Sequence, residues 1–149
     1  MPGRVTNRQH RQPVATTRIA RAIDRALRAV GRPGGEVEVL VVDDPEIRRL
    51  NAQWRGVKRH TDVLAFPMET PGGGRLVGQI VISAERAAHQ ARRLGVPLAI
   101  ELDLLATHGV LHLVGYDDRD PVEARLMHER ERAVLGPDAP ARLWTGLLT

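Results

Sequence analysis

Hydrophobic positions along the chain fall into blocks of helical period and blocks of alternation, and these blocks outline the fold before any chemistry is considered. Ile19, Ala20, Ile23, Ala26, Leu27 and Val30 recur at helical spacing with arginines on the other face, and Thr16 or Thr17 stands where an N-cap belongs. Gly31 and the Gly-Arg-Pro-Gly-Gly run it begins stop that helix. Glu36 to Val42 starts by alternating and becomes wholly apolar, which reads as a central strand. Asp43 or Asp44 caps a second helix, Pro45 sits in its first turn, and Ile47, Leu50 and Trp54 mark its apolar side. Thr61 to Phe66 reads as a strand ended by Pro67, and Leu76 to Ile82 as another. The turn at Pro71–Gly74 joins them as a hairpin.

Ser83 caps a third helix that runs to about Leu94, with Gly95 past its end. Pro97 opens a long fourth helix holding Ile100, Leu104, Leu105, His108, Leu111 and His112. Asp120 and Pro121 start a fifth, through Leu126, Met127 and Val134 to Gly136. A short strand at Arg4–Asn7 precedes them all, and Leu143, Trp144, Leu147 and Leu148 of the tail are placed to pack back on the core. Helices outnumber strands. The expected class is α+β: one domain over residues 1–149, a small mixed β-sheet packed with helices.

Composition narrows the function classes. A chain of 149 residues, 42% apolar, can bury one core and is short for two. No apolar run approaches the roughly 18 residues of a membrane span, and the polar, basic start lacks the apolar stretch of a secretory signal. Zero cysteines exclude disulfides and thiolate metal ligands. The expectation is a cytoplasmic protein with neither a membrane nor a disulfide partner. Net charge is +4, carried almost wholly by arginine, since Lys58 is the only lysine among the 22 basic residues. Arginine favours bidentate contact with phosphate. The same excess accompanies frequent Ala, Gly and Pro, as in GC-rich coding, so composition alone leaves nucleic-acid binding open. Aromatic residues at 3% argue against a base-stacking platform.

The chemistry concentrates in THGVLHLVGYDD, Thr107 to Asp118. On a helix, His108 and His112 project from one face one turn apart. Gly115 then stops the helix, and Asp118 follows within reach of a chain that turns back. Two nitrogens and one oxygen form a divalent-metal set with a place left for water. This is a zincin-like metal-site helix without the protease's base, because the position after the first histidine is Gly109 rather than glutamate. Glu101, seven residues before His108, lies roughly on the same face and is a candidate to hydrogen-bond a ligand imidazole or to act as a base. Asp117 is a further base candidate and competes with Asp118 for the metal. His10, His89 and His128 have no partner pattern and read as surface or helix-face residues. A basic loop, Trp54 to His60, gathers Arg55, Lys58 and Arg59, whose charge suits a phosphate or simply a solvated turn.

The segment His108 to Asp117 resembles, without a break, the signature His-Gly-x-Leu-His-Leu-x-Gly-Tyr-Asp-His of the YbeY family of bacterial rRNA-maturation endoribonucleases. Leu50-Asn51, Trp54-Arg55-Gly56, Thr61 to Pro67 and Val77 to Ile80 match further elements of that family in order. Gln90-Ala91, Glu101, Met127 and Glu131 also fall where the family has them. The likeness is strongest over residues 36–135. It implies a metal-dependent, single-strand-specific endoribonuclease acting in 16S rRNA 3′-end maturation and ribosome quality control. The implied partners are the small ribosomal subunit and assembly factors. It implies one divalent metal, Zn²⁺ first, on His108, His112 and Asp118, with His108 and Arg55 in catalysis.

Two positions depart from the pattern. The family's third histidine falls on Asp118, and its Gly-Asp-Ile aspartate falls on Gln79. An aspartate ligand is shorter, brings the loop closer, weakens the metal as a Lewis acid and shifts preference toward Mn²⁺ or Fe²⁺. The alternative is a non-catalytic ribosome-assembly or RNA-binding factor with a degraded metal site.

Overall fold

The structure, a computed structural model, describes residues 3–53, 63–68, 77–117, 119–137 and 139–144. Its elements are β1 (Gly3–Asn7), α1 (Thr16–Ala29), β2 (Glu36–Val42), α2 (Asp44–Gln53), β3 (Val63–Met68), β4 (Val77–Ser83), α3 (Ala84–Leu94), α4 (Leu98–Leu113), α5 (Pro121–Leu135) and a 3₁₀ turn (Ala141–Trp144). The class is α+β, as expected. The sheet has the order β1-β2-β4-β3. β1 and β4 flank β2 in parallel, and β3 pairs antiparallel with β4 as the predicted hairpin, Leu64 opposite Val81 and Phe66 opposite Gln79.

Alternation along the strands separates two faces. Val37, Val39, Val41, Val63, Ile80 and Ile82 pack with Ile19, Ile23 and Leu27 of α1 and with Leu105, Val110 and Leu113 of α4. On the other face Val42, Leu64 and Val81 pack with Ile47 of α2. β2 is central, covered on both sides, which is why its sequence ends in an unbroken apolar run. Leu104 of α4 joins Ala91, Val96, Leu143 and Trp144 in a smaller cluster, so the tail does fold back through Leu143 and Trp144.

Several local expectations are corrected. Neither Thr16 nor Thr17 caps α1; the N-cap is Ala15, with no side-chain bond. Pro67 does not end β3, which continues to Met68. The strand lies at the sheet edge, where every second N–H is unpaired and a proline is tolerated. Other signals act as read. The Asp43 carboxylate accepts from the Glu46 N–H at 2.9 Å, and the Ser83 hydroxyl accepts from the Arg86 N–H at 3.2 Å. Gly95, at φ 67°, closes α3 in the left-handed conformation.

α4 is buried almost all round, so it shows no polar face. α1, α3 and α5 surround it, with the sheet beneath. No single described helix is long and apolar enough to cross a membrane. On α4, Asp103 is 5% exposed and its carboxylate accepts from Arg18 of α1 at 2.8 and 3.1 Å. That hydrogen bond, with the attraction of the carboxylate, raises the Arg18 pKa above its ordinary value.

Helix and sheet meet closely at two glycines. A Cβ on Gly109 would lie 2.8 Å from Ile80 Cδ1, and one on Gly78 would lie 2.7 Å from Leu113 Cδ1. Gly109 thus faces the sheet, and a glutamate has no room there. Gly109→Ala is expected to destabilise the protein by about 1–3 kcal/mol through overpacking. Urea unfolding checks this. Adding Ile80→Ala, which removes Cδ1 and the γ carbons that a Cβ would meet at 2.8, 2.9 and 3.1 Å, should make the added cost of Gly109→Ala smaller than in the wild-type background, and an unchanged cost would place the strain elsewhere.

Candidate metal centre

α4 carries His108 and His112 at i and i+4, and the helix delivers both rings to one point. Their planes are nearly perpendicular at 86°, and the two Nε2 atoms face each other 2.9 Å apart. The other nitrogen of each ring is held. His112 Nδ1 lies 3.0 Å from the carbonyl oxygen of Tyr116, which can only accept, so Nδ1 carries the proton. His108 Nδ1 lies 2.6 Å from Oε2 of Glu131, on α5.

Glu131 is fully buried and has two more donors: His128 Nδ1 and Trp144 Nε1 each lie 3.0 Å from its Oε1. Burial alone raises a carboxyl pKa. Hydrogen bonds from His108 and His128 outweigh it and hold Glu131 below the ordinary value. An ionised Glu131 accepts, so His108 donates through Nδ1. Both Nε2 atoms therefore present lone pairs toward one point, an arrangement that a shared proton or a metal ion can bridge. Two imidazoles on a tetrahedral zinc have their nitrogens about 3.3 Å apart. The donor set fits a metal closely, with one ring oriented by a carboxylate and the other by a carbonyl.

The expected site residues are placed unevenly. His108 and His112 come together. Glu101 is buried, but it stands two turns from His108, about 10.5 Å along the helix axis. The orienting bond expected of it belongs to Glu131. The Asp117 oxygens accept from the Arg119 N–H at 2.9 Å and the Arg119 Nε at 2.8 Å. Among the described residues, no group of three His, Asp or Glu assembles. Asp118 lies outside the described residues, as do Arg55, Lys58, Arg59 and His60.

His128 corrects the sequence reading. It is buried, 7% exposed, and bonded to Glu131. The signal was present as His128 and Glu131 at i and i+3 on α5. Its tie to the metal helix, across 23 residues, has no periodic trace. His10 and His89 are exposed, as read. Gln79 donates through Nε2 to Glu38 Oε1 at 2.8 Å on the neighbouring strand. An aspartate there would face Glu38 with like charge, so in this chain the glutamine suits its neighbour.

A family model described as "Endoribonuclease YbeY" matches residues 4–137. Curated proteins of that name include one from Anaeromyxobacter dehalogenans, 48% identical over 106 residues. That match covers 70% of this chain and 55% of the relative, so this chain spans about half of that protein's length. One from Anaeromyxobacter sp. strain Fw109-5 is 42% identical, covering 88% of this chain and 69% of the relative. One from Geobacter sulfurreducens is 37% identical, covering 87% and 91%. A solution structure of a Thermotoga maritima protein superposes with a TM-score of 0.59 at 24% identity, over 98% of this chain and 91% of the other; it speaks for the fold.

Proposed function

The chain belongs to the YbeY endoribonuclease family, and from that membership we propose that it is a metal-dependent endoribonuclease that cuts single-stranded RNA. The expected substrate is 16S rRNA near its 3′ end, on the small ribosomal subunit and among its assembly factors, in maturation and quality control. One observation carries the metal part: the two Nε2 atoms facing each other at 2.9 Å with both Nδ1 protons engaged elsewhere.

His108 and His112 would hold the ion, Zn²⁺ first, with Asp118 as third ligand and Mn²⁺ or Fe²⁺ as competitors. A bound divalent ion supplies Lewis acidity toward a phosphoryl oxygen and lowers the pKa of a nearby water. The chain's own residues do the rest. Glu131 and the Tyr116 carbonyl keep the protons on Nδ1, so Nε2 stays a donor of electrons. Their hold also fixes the ring planes, so no ordering of the ligands is needed at the moment of reaction. Arg55 would grip the phosphate, since a guanidinium matches the charge that grows there. Gly109, against Ile80, leaves no space for the base a zinc protease uses, which disfavours peptide hydrolysis.

The test is cleavage of a single-stranded rRNA precursor by purified protein that has been chelated and then reloaded. Cleavage should vanish and return, and His108→Ala should stay inactive throughout. Equal cleavage by wild type and His108→Ala would assign the activity to a contaminant.

A further inference from the structure

We infer that the outer face of α1 is an RNA-backbone ridge, a second contact surface separate from the metal centre. The inference rests on the RNA-cleaving reading above and adds a place where the substrate's flanking strand is held. Arg18, Arg21, Arg25 and Arg28 follow each other at i, i+3, i+7 and i+10, all exposed. At 100° per residue they fall within an arc of about 80°, and they extend about 15 Å along the axis. The opposite face, with Ile19, Ala22, Ile23, Ala26 and Leu27, is sealed into the core. Arg32 prolongs the row in the turn beyond the helix, where its N–H bonds to the Leu27 carbonyl at 2.7 Å.

Several arginines among the described residues are tied to acids. Arg8 and Arg49 reach Glu46, Arg11 reaches Glu85, and Arg48 and Arg86 share Asp44. On α1 the two ends of the row are tied, Arg18 to Asp103 and Arg28 to Asp24. The two in the middle, Arg21 and Arg25, have no ion-pair partner among the described residues. Asp24 is the helix's only acid. The row is therefore a ledge of uncompensated positive charge whose ends are pinned in place. Guanidinium groups spaced along a rigid rod match a phosphodiester backbone, which carries charge at regular intervals and releases counterions on contact. α1 packs directly on α4, so the ledge is borne by the helix beside the metal helix.

The test measures binding of a long single-stranded RNA to the full chain by fluorescence anisotropy, between about 50 and 200 mM salt. Arg21→Gln/Arg25→Gln removes two exposed charges and leaves the core alone. Its plot of log affinity against log salt should be shallower by about 1.4, or about 0.7 per lost contact, with affinity at low salt down on the order of tenfold. Arg92→Gln/Arg93→Gln removes the same charge from exposed positions on α3 and serves as the control. If both pairs weaken binding equally, RNA responds to net charge and the ridge is refuted. If the α1 pair binds as wild type does, the ridge is refuted while the RNA reading stands. If wild type itself fails to bind RNA, the RNA reading falls and the ridge falls with it.

Discussion

Glu131→Ala is expected to destabilise the metal-free protein by about 3–5 kcal/mol. Glu131 is 0% exposed and is the acceptor for three buried donors: His108 Nδ1, His128 Nδ1 and Trp144 Nε1. Truncation leaves all three without an acceptor in an interior that water does not reach freely, at about 1–3 kcal/mol for each one left unmade. Some of that is recovered as the site relaxes, which sets the range. The loss should appear as a lowered urea midpoint. A shift under about 1 kcal/mol would mean that the donors find other acceptors, and the hub reading would be wrong.

Glu131→Gln separates the structural role from the ligand role. The amide keeps the volume and one acceptor oxygen. If that oxygen serves His128 and Trp144, the NH₂ faces His108 Nδ1, a donor against a donor. His108 then relieves the conflict by moving its proton to Nε2, the atom that faces His112. An imidazole protonated at Nε2 is not a ligand there. Metal affinity should fall about 10–100-fold while most of the stability remains. Zinc titration against a chromophoric competitor reads this directly. Unchanged affinity would show that His108 does not owe its tautomer to Glu131.

This dependence also explains what could be read in advance. The layers of the fold follow from the hydrophobic pattern: α1 buries the apolar stripe the sequence displays, α4 is buried almost all round, and β2 is central because its residues are apolar on both faces. The His108–His112 pair was legible because four residues make one helical turn, so the geometry is local. Glu131 was legible only as a family position, and its bond to His108 crosses from α5 to α4. The same holds for His128, which is buried and shares the Glu131 Oε1 acceptor with Trp144. The stop expected at Pro67 and the cap expected at Thr16 or Thr17 failed for a related reason. Edge position and packing of the whole helix overrode the local stop signal and the local cap preference. Glu101 shows the limit of facial arithmetic: the same face of a helix, two turns away, is still about 10.5 Å distant.

Asp118→His is expected to tighten metal binding by on the order of tenfold or more, and Asp118→Ala to weaken it on the order of 100-fold. The two imidazoles at 108 and 112 supply neutral nitrogen donors with their orientation already fixed by Glu131 and Tyr116. A third ligand therefore acts on a prepared site, and its chemistry decides affinity and metal preference. A carboxylate adds negative charge and hardness, favouring Mn²⁺ or Fe²⁺ relative to the all-imidazole set, whereas histidine restores preference for Zn²⁺. The two substitutions should thus move zinc affinity in opposite directions, and the ratio of zinc to manganese affinity should rise in Asp118→His. If both variants bind zinc as the unaltered chain does, Asp118 is not a ligand. The alternative of a structural or empty site in a ribosome-assembly factor then gains ground, because two imidazoles alone hold a metal too weakly to sustain catalysis.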